Sequence, residues 1–136
     1  DLDVHLTFLF GHAWEDREDV GRTVAMARRL LASGHASTLQ CTMTIPYPGT
    51  PLFRELKAGD ALTTLDWDEY DMRRQITKTP LVPEEEIKAA IREVYKGFLQ
   101  PAAVWHRLTT TRNLLDLPFY YRGLRALLGH LLDFAR

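Results

Sequence analysis

The feature that most constrains the fold is a strand–helix–strand pattern in the first third of the chain. Residues 4–10 are rich in β-branched and aromatic side chains and end at Gly11, as is typical of a buried strand. Residues 16–33 carry apolar side chains at helical spacing and end at Gly34, a residue suited to a helix C-cap. Residues 38–45 alternate apolar and polar side chains, as in a strand with one buried face. The sequence therefore predicts a right-handed βαβ unit with two parallel strands.

A proline-rich turn follows the second strand. Residues 47–50, Tyr-Pro-Gly-Thr, fit a type II turn, in which proline fixes one φ angle and glycine accepts a positive one. Thr50 is expected to cap a short helix that begins at Pro51, and residues 66–71 to form one capped turn. The remainder is expected to be helical, with helix starts or restarts near Pro83, Pro101 and Pro118. The last helix carries leucines on one face: Leu124, Leu127, Leu128, Leu131 and Leu132.

These elements define an α/β fold class with two regions. Residues 1–60 hold the βαβ unit, and residues 61–136 form a helical C-terminal region. Two strands without visible partners do not complete a sheet, so we expect the chain to be a fragment of a longer protein. Such a fragment would expose two strand edges and one sheet face. We therefore expect a homo-oligomer, most simply a dimer, formed through the sheet or the C-terminal helices.

Composition narrows the possible functions. The chain has 136 residues and a net charge of -1, which gives no general attraction to nucleic acid. No signal peptide and no run of 18 apolar residues is visible, and we expect a cytoplasmic protein. The single cysteine, Cys41, lies on the apolar side of the second strand and is expected to be a core residue. One cysteine alone cannot hold an iron–sulfur cluster, and no metal site is expected in this chain.

Three polar residues follow the first strand, at the end where parallel sheets place their sites. His12 and Glu15 have the spacing of a pair that could bind a metal or move a proton. The alternative, which we favour, is that Glu15 and Asp16 cap the following helix and His12 is an ordinary loop residue.

One face of the predicted sheet is polar. The second strand contributes Gln40, Thr42 and Thr44 to this face. The alternate residues of the first strand that we assign to the same side are His5, Thr7 and Leu9. This face either lines an interior that holds a polar ligand or is an exposed sheet surface.

The basic aromatic segment at residues 119–125 has two interpretations as well. An amphipathic helix of this kind can lie on a membrane surface. The interpretation that we favour is a helix packed on its own domain with exposed arginines.

Two stretches together resemble a known superfamily. Residues 8–16, Phe-Leu-Phe-Gly-His-Ala-Trp-Glu-Asp, resemble the end of the fifth barrel strand of radical SAM proteins. Residues 44–52, which contain Pro-Tyr-Pro-Gly-Thr-Pro-Leu, resemble the end of the sixth strand in the cobalamin-binding branch, and residues 66–71 are similar to the segment that follows. The resemblance covers residues 1–100. The chain departs from the family in having His-Ala-Trp at residues 12–14, where Leu-Pro-Gly is usual, and in lacking the three-cysteine loop.

The resemblance implies that a longer protein carrying this chain would be a radical SAM iron–sulfur oxidoreductase or methyltransferase that acts on a small-molecule substrate. Such a protein would bind S-adenosylmethionine (SAM), which a [4Fe–4S] cluster cleaves to a 5′-deoxyadenosyl radical, and some members also bind cobalamin. By resemblance, Leu9, Gly11, Pro46 and Tyr47 would border the adenine of SAM. The chain would then be the last part of a radical SAM barrel, inactive alone and without cofactors of its own. The alternative is a non-enzymatic α/β interaction domain that is complete as it stands.

Overall fold

The computed structural model describes residues 4–34, 36–78, 81–110 and 117–133. It contains two strands, β1 (His5–Phe10) and β2 (Thr38–Met43). Its helices are α1 (Arg17–Ala32), α2 (Pro51–Ala58), α3 (Glu84–Lys96), α4 (Pro101–Thr110) and α5 (Leu117–Asp133). Short 3-10 turns span Trp67–Glu69 and Gly97–Leu99. The α/β class and the order of elements agree with the expectation from sequence.

The two strands form a parallel pair. Their register runs from His5 opposite Thr38 to Phe10 opposite Met43, with α1 between them in the chain. The predicted parallel pairing is confirmed. The second strand ends at Met43 rather than at residue 45, because the chain turns away towards Pro46, which has no N–H to continue a ladder.

Capping residues define both ends of α1. The side chain of Asp16 accepts a hydrogen bond from the Asp19 N–H at 2.9 Å, and the Asp19 carboxylate accepts one from the Asp16 N–H at 3.2 Å. This reciprocal pair satisfies donors that the first helical turn leaves free. At the other end Gly34 has a φ of 74°, which a glycine adopts readily just after a helix.

The core lies between one face of the sheet and the helices α1 and α3. Alternate residues of β1 point to opposite sides, so that Phe10 is fully buried while Leu9 is exposed. The buried residues form one cluster that includes Ala27, Leu31, Leu39, Cys41, Met43, Ile87, Ile91, Val94 and Tyr95. The helix α3 therefore covers the sheet together with α1, and the two share one hydrophobic core.

The two edges of the sheet differ. The expectation of two open edges is wrong for the carboxyl-terminal half of β2, where the Tyr95 hydroxyl bonds the backbone of Cys41 and the Met43 N–H donates to the Met72 carbonyl at 3.0 Å. Within the described ranges, no loop or helix backbone pairs with the outer edge of β1. In the described part of the chain, the outer edge of β1 is therefore the more open of the two.

The leucines of α5 do not all face the core. Leu127 is buried, at 9% exposure, whereas Leu124, Leu128 and Leu132 are exposed. The expectation of a helix packed on its own domain therefore holds for only part of this face. Among the helices that the structure describes, none has both the length and the apolar character needed to cross a bilayer.

Candidate functional site at the ends of the strands

The predicted site residues lie where the two strands end. The Thr44 N–H donates a hydrogen bond to the Phe10 carbonyl at 2.8 Å, which carries the pairing one step beyond the strands. This bond sets Gly11 and the loop after it beside the segment that leads to Pro46 and Tyr47. The carboxyl ends of β1 and β2 thus form one edge, the usual location of ligand sites in parallel sheets.

The four predicted residues differ in what they offer to a ligand. Leu9 is 49% exposed and Tyr47 is 45% exposed, so both present apolar surface to the outside. Gly11 and Pro46 are buried and shape the backbone behind that surface. Gly11 has a φ of 83°, a conformation in which a side chain would be strained.

Glu15 holds the loop after β1 in place. Its Oε2 accepts hydrogen bonds from the Gly11 N–H at 2.6 Å and from the His12 N–H at 2.9 Å. The residue is 8% exposed, and an ionised acceptor makes such bonds strong. The expectation that Glu15 caps α1 is therefore wrong, because Asp16 alone is the cap and Glu15 binds the loop instead.

His12 faces groups other than Glu15. Its ring stacks on Trp14 with a centroid distance of 4.7 Å, and its Nδ1 lies 3.4 Å from the Thr44 Oγ1. Since the Glu15 carboxylate binds backbone amides, the pair does not have the arrangement of a metal site. In the described part of the chain no group of three or more His, Cys, Asp or Glu residues could hold a metal ion.

The polar sheet face is open at one end and covered at the other. Gln40 is exposed, whereas Thr42 and Thr44 are each 8% exposed. At the open end the His5 ring hydrogen-bonds the Thr38 hydroxyl at 2.7 Å. The face therefore becomes more enclosed towards the carboxyl ends of the strands, where Leu9 lies opposite Thr42.

The turn after β2 has the geometry that the sequence predicts. The Thr50 N–H donates to the Tyr47 carbonyl at 3.1 Å, and Gly49 has a φ of 87°. The Thr50 Oγ1 accepts a hydrogen bond from the Phe53 N–H at 3.2 Å, which caps α2. Both bonds hold Tyr47 at a defined position relative to α2.

The segment after α2 packs back against that helix. The rings of Trp67 and Phe53 lie 6.1 Å apart, and those of Trp67 and Tyr70 lie 4.8 Å apart. The Asp66 side chain caps this turn by accepting from the Asp68 N–H at 3.1 Å. Two of the stretches that carry the resemblance, residues 44–52 and 66–71, are thus close together in the fold.

A separate groove of about 850 Å³ is formed by residues of the segment 63–76, the start of α3 and the end of α5. Its lining residues are Thr63, Thr64, Glu69, Asp71, Arg73, Arg74, Gln75, Ile76, Glu84, Lys88 and Leu132. Opposite charges pair within it, with 3.3 Å between Arg74 and Asp71 and 3.0 Å between Lys88 and Glu84. None of the four predicted residues lines the groove, although Gln75 would lie 3.7 Å from a Cβ at Gly11. The sequence singled out residues 66–71, which include Glu69 and Asp71, but gave no sign that they form a groove with α3 and α5, because these segments meet only in the fold.

Cys41 is a core residue, as expected. It is 2% exposed, and burial raises the pKa of its thiol to about 12. The thiolate, which is the form that binds metals and attacks substrates, is therefore absent at neutral pH.

The comparisons with known proteins point to methyltransferases. No protein-family model matches the chain, and no solved structure matches it significantly. The chain is 30% identical over 92 residues to an uncharacterized methyltransferase of Pyrococcus horikoshii, an alignment that covers 68% of this chain and 19% of the relative. It is 26% identical over 98 residues to the bacteriochlorophyllide d C-8(2)-methyltransferase of Chlorobaculum tepidum, covering 69% of this chain and 21% of that protein. The chain thus spans about a fifth of the length of these two curated relatives and is similar to part of two methyltransferases.

Proposed function

We propose that this chain is part of a SAM-dependent methyltransferase of the radical SAM superfamily, in its cobalamin-binding branch, and that it forms the adenine end of the SAM pocket. The observation that carries the proposal is the hydrogen bond from Thr44 to Phe10, which sets the two resembling strand ends side by side. The similarity to two methyltransferases supports the reaction class. SAM supplies the methyl group or, when an iron–sulfur cluster reduces it, the radical that begins the reaction.

The exposed side chains at the strand ends suit the apolar faces of a purine ring. Leu9 and Tyr47 are each about half exposed, whereas Thr42 and Thr44 behind them are covered. The Gly11 and His12 amides already donate to Glu15. In this proposal the chain therefore positions adenine through apolar contact with Leu9 and Tyr47, and not through those two amides.

The residues of this chain do not fit an iron–sulfur cluster. Cys41 is buried and its thiol stays protonated at neutral pH because burial raises its pKa to about 12. The cluster would therefore be held by residues outside these 136. This chain's contribution is to bind and orient SAM.

The proposal is tested by SAM affinity in the longer protein that carries this chain. The variants Leu9→Asn and Tyr47→Ala each remove apolar contact surface that contributes about 1–2 kcal/mol to the free energy of binding. Calorimetry is therefore expected to show roughly 5- to 30-fold weaker SAM binding. The matched control is His5→Asn, an exposed position on the same face of β1, about 13 Å from Leu9.

If the Leu9 and Tyr47 variants retain their unfolding midpoint and bind SAM with unchanged affinity, the placement of adenine beside these two residues is overturned. If the longer protein does not bind SAM at all, the non-enzymatic interaction domain becomes the better hypothesis.

A further inference from the structure

The helix α5 carries an apolar stripe that the fold leaves uncovered. The stripe consists of Tyr121, Leu124, Leu128 and Leu132, at exposures of 63%, 49%, 52% and 69%. Spacings of three and four residues place these side chains on one side of the helix. Leu127 faces a different direction and belongs to the core cluster. Exposed apolar surface of this kind marks an interaction site.

The C-terminal end of the sequence differs in net charge from the rest. Residues 101–136 contain five basic and two acidic side chains, a net charge of +3. Residues 1–100 contain twelve basic and sixteen acidic side chains, a net charge of −4. Two of the basic residues, Arg122 and Arg125, are exposed on α5 and adjoin the stripe. The stripe is thus bordered by positive charge, although the chain as a whole is slightly negative.

We propose that α5 docks on the surface of an anionic lipid bilayer. The apolar stripe would lie at the boundary between headgroups and acyl chains, and Arg122 and Arg125 would contact the phosphates. Tyr121, at one end of the stripe, is 63% exposed. Tryptophan and tyrosine are favoured at this depth of a bilayer, because one end of each ring is apolar and the other is polar.

Charge favours a lipid surface over a second copy of the chain. Two α5 helices packed side by side in parallel would bring the arginines of one copy close to those of the other. Residues 101–136 of the sequence contain two acidic residues, Asp116 and Asp133. Leu132, at one end of the stripe, lines the groove that also holds Asp71 and Glu84, and these two carboxylates are paired with Arg74 and Lys88. An anionic bilayer supplies the complementary charge for Arg122 and Arg125.

The test is co-sedimentation of the 136-residue chain with vesicles of phosphatidylcholine alone or with 30 mol% phosphatidylserine (about one anionic lipid in three). We expect binding to the anionic vesicles and at least about tenfold weaker binding to the neutral ones. Arg122→Gln with Arg125→Gln is expected to lower affinity roughly thirtyfold, at about fivefold per basic residue. The control removes two exposed cations elsewhere, Arg29→Gln with Lys57→Gln, and should leave affinity unchanged.

A second variant tests the apolar half of the surface. Leu124→Gln with Leu128→Gln changes exposed side chains, so the unfolding midpoint should be retained while vesicle binding falls at least about tenfold. Equal binding to neutral and anionic vesicles, or binding that neither variant weakens, would overturn the proposal. A dimer that binds no vesicles, and that the leucine variant turns into a monomer, would also overturn it and identify a second copy as the occupant. The outcome is independent of SAM binding.

Discussion

The hydroxyl of Tyr95 bonds both backbone polar groups of Cys41. It accepts a hydrogen bond from the Cys41 N–H at 3.0 Å and lies 3.4 Å from the Cys41 carbonyl, to which it donates. Tyr95 belongs to α3 and is 1% exposed. A helix side chain thus takes the place of a neighbouring strand at Cys41, so another strand could not pair with β2 at this residue without displacing Tyr95.

The first prediction concerns this contact. Tyr95→Phe keeps the ring and removes the hydroxyl, so two buried backbone groups of Cys41 lose their partner. An unsatisfied buried group costs about 1–3 kcal/mol, and we expect a loss of that size in the free energy of unfolding measured with urea. Tyr121→Phe, at a 63% exposed position, is the control and should change stability by less than about 0.5 kcal/mol. Equal stability of the two variants would contradict the role given to Tyr95.

The second prediction separates two adjacent acidic residues. Glu15→Ala removes two charge-assisted hydrogen bonds in a buried loop and is expected to cost about 1.5–3 kcal/mol. Asp16→Ala removes a helix cap at the surface and is expected to cost about 1 kcal/mol. Urea unfolding of both variants shows which of the two loses more free energy of unfolding. If Asp16→Ala is the more damaging, Glu15 does not hold the loop as described.

The elements of this fold could be predicted because their signals are local. The alternation in β2, the turn at residues 47–50 and the Thr50 cap each depend on a few neighbouring side chains. The pair of Glu84 and Lys88, 3.0 Å apart, follows in the same way from helical spacing.

The features of the fold that could not be predicted depend on contacts between distant parts of the chain. Nothing near Tyr95 in the sequence indicates that its hydroxyl meets Cys41, 54 residues away. The exposure of Leu124 and Leu128 could not be read from the helical pattern either, because the same apolar spacing describes a buried face and an uncovered one. The choice between Glu15 and Asp16 as helix cap likewise depends on the path of the loop after β1.

The third prediction concerns the reactivity of Cys41. Burial raises the pKa of its thiol from 9.0 to about 12, so the native protein at pH 8 should react with Ellman's reagent only as fast as it unfolds. In urea the same thiol should react at once. The unfolded thiol ionises near pH 9.0, whereas the native thiol stays protonated up to about pH 12. The contribution of the protonated thiol to the free energy of unfolding is therefore fully present below pH 9 and is lost as the pH rises towards 12. Immediate labelling of the folded chain would contradict the burial of Cys41.

The fourth prediction compares two glycines that have equal space around them. A Cβ added at Gly49 or at Gly21 would meet no atom within 4 Å, so packing does not distinguish them. Their backbones do: Gly49 has a φ of 87° in the turn after β2, whereas Gly21 lies inside α1. Gly49→Ala should therefore lower the free energy of unfolding by about 1 kcal/mol, and Gly21→Ala should raise it by about 0.5–1 kcal/mol.

Thr50→Ala extends the comparison to the cap that follows this turn. Losing the bond from the Phe53 N–H is expected to cost about 1 kcal/mol in the free energy of unfolding. Because Thr50 also donates to the Tyr47 carbonyl, the costs of Gly49→Ala and Thr50→Ala should not add in the double variant. Urea unfolding of the two single variants and the double variant gives the coupling directly. Fully additive costs would show that the turn and the cap are independent, and that Tyr47 is not held by both.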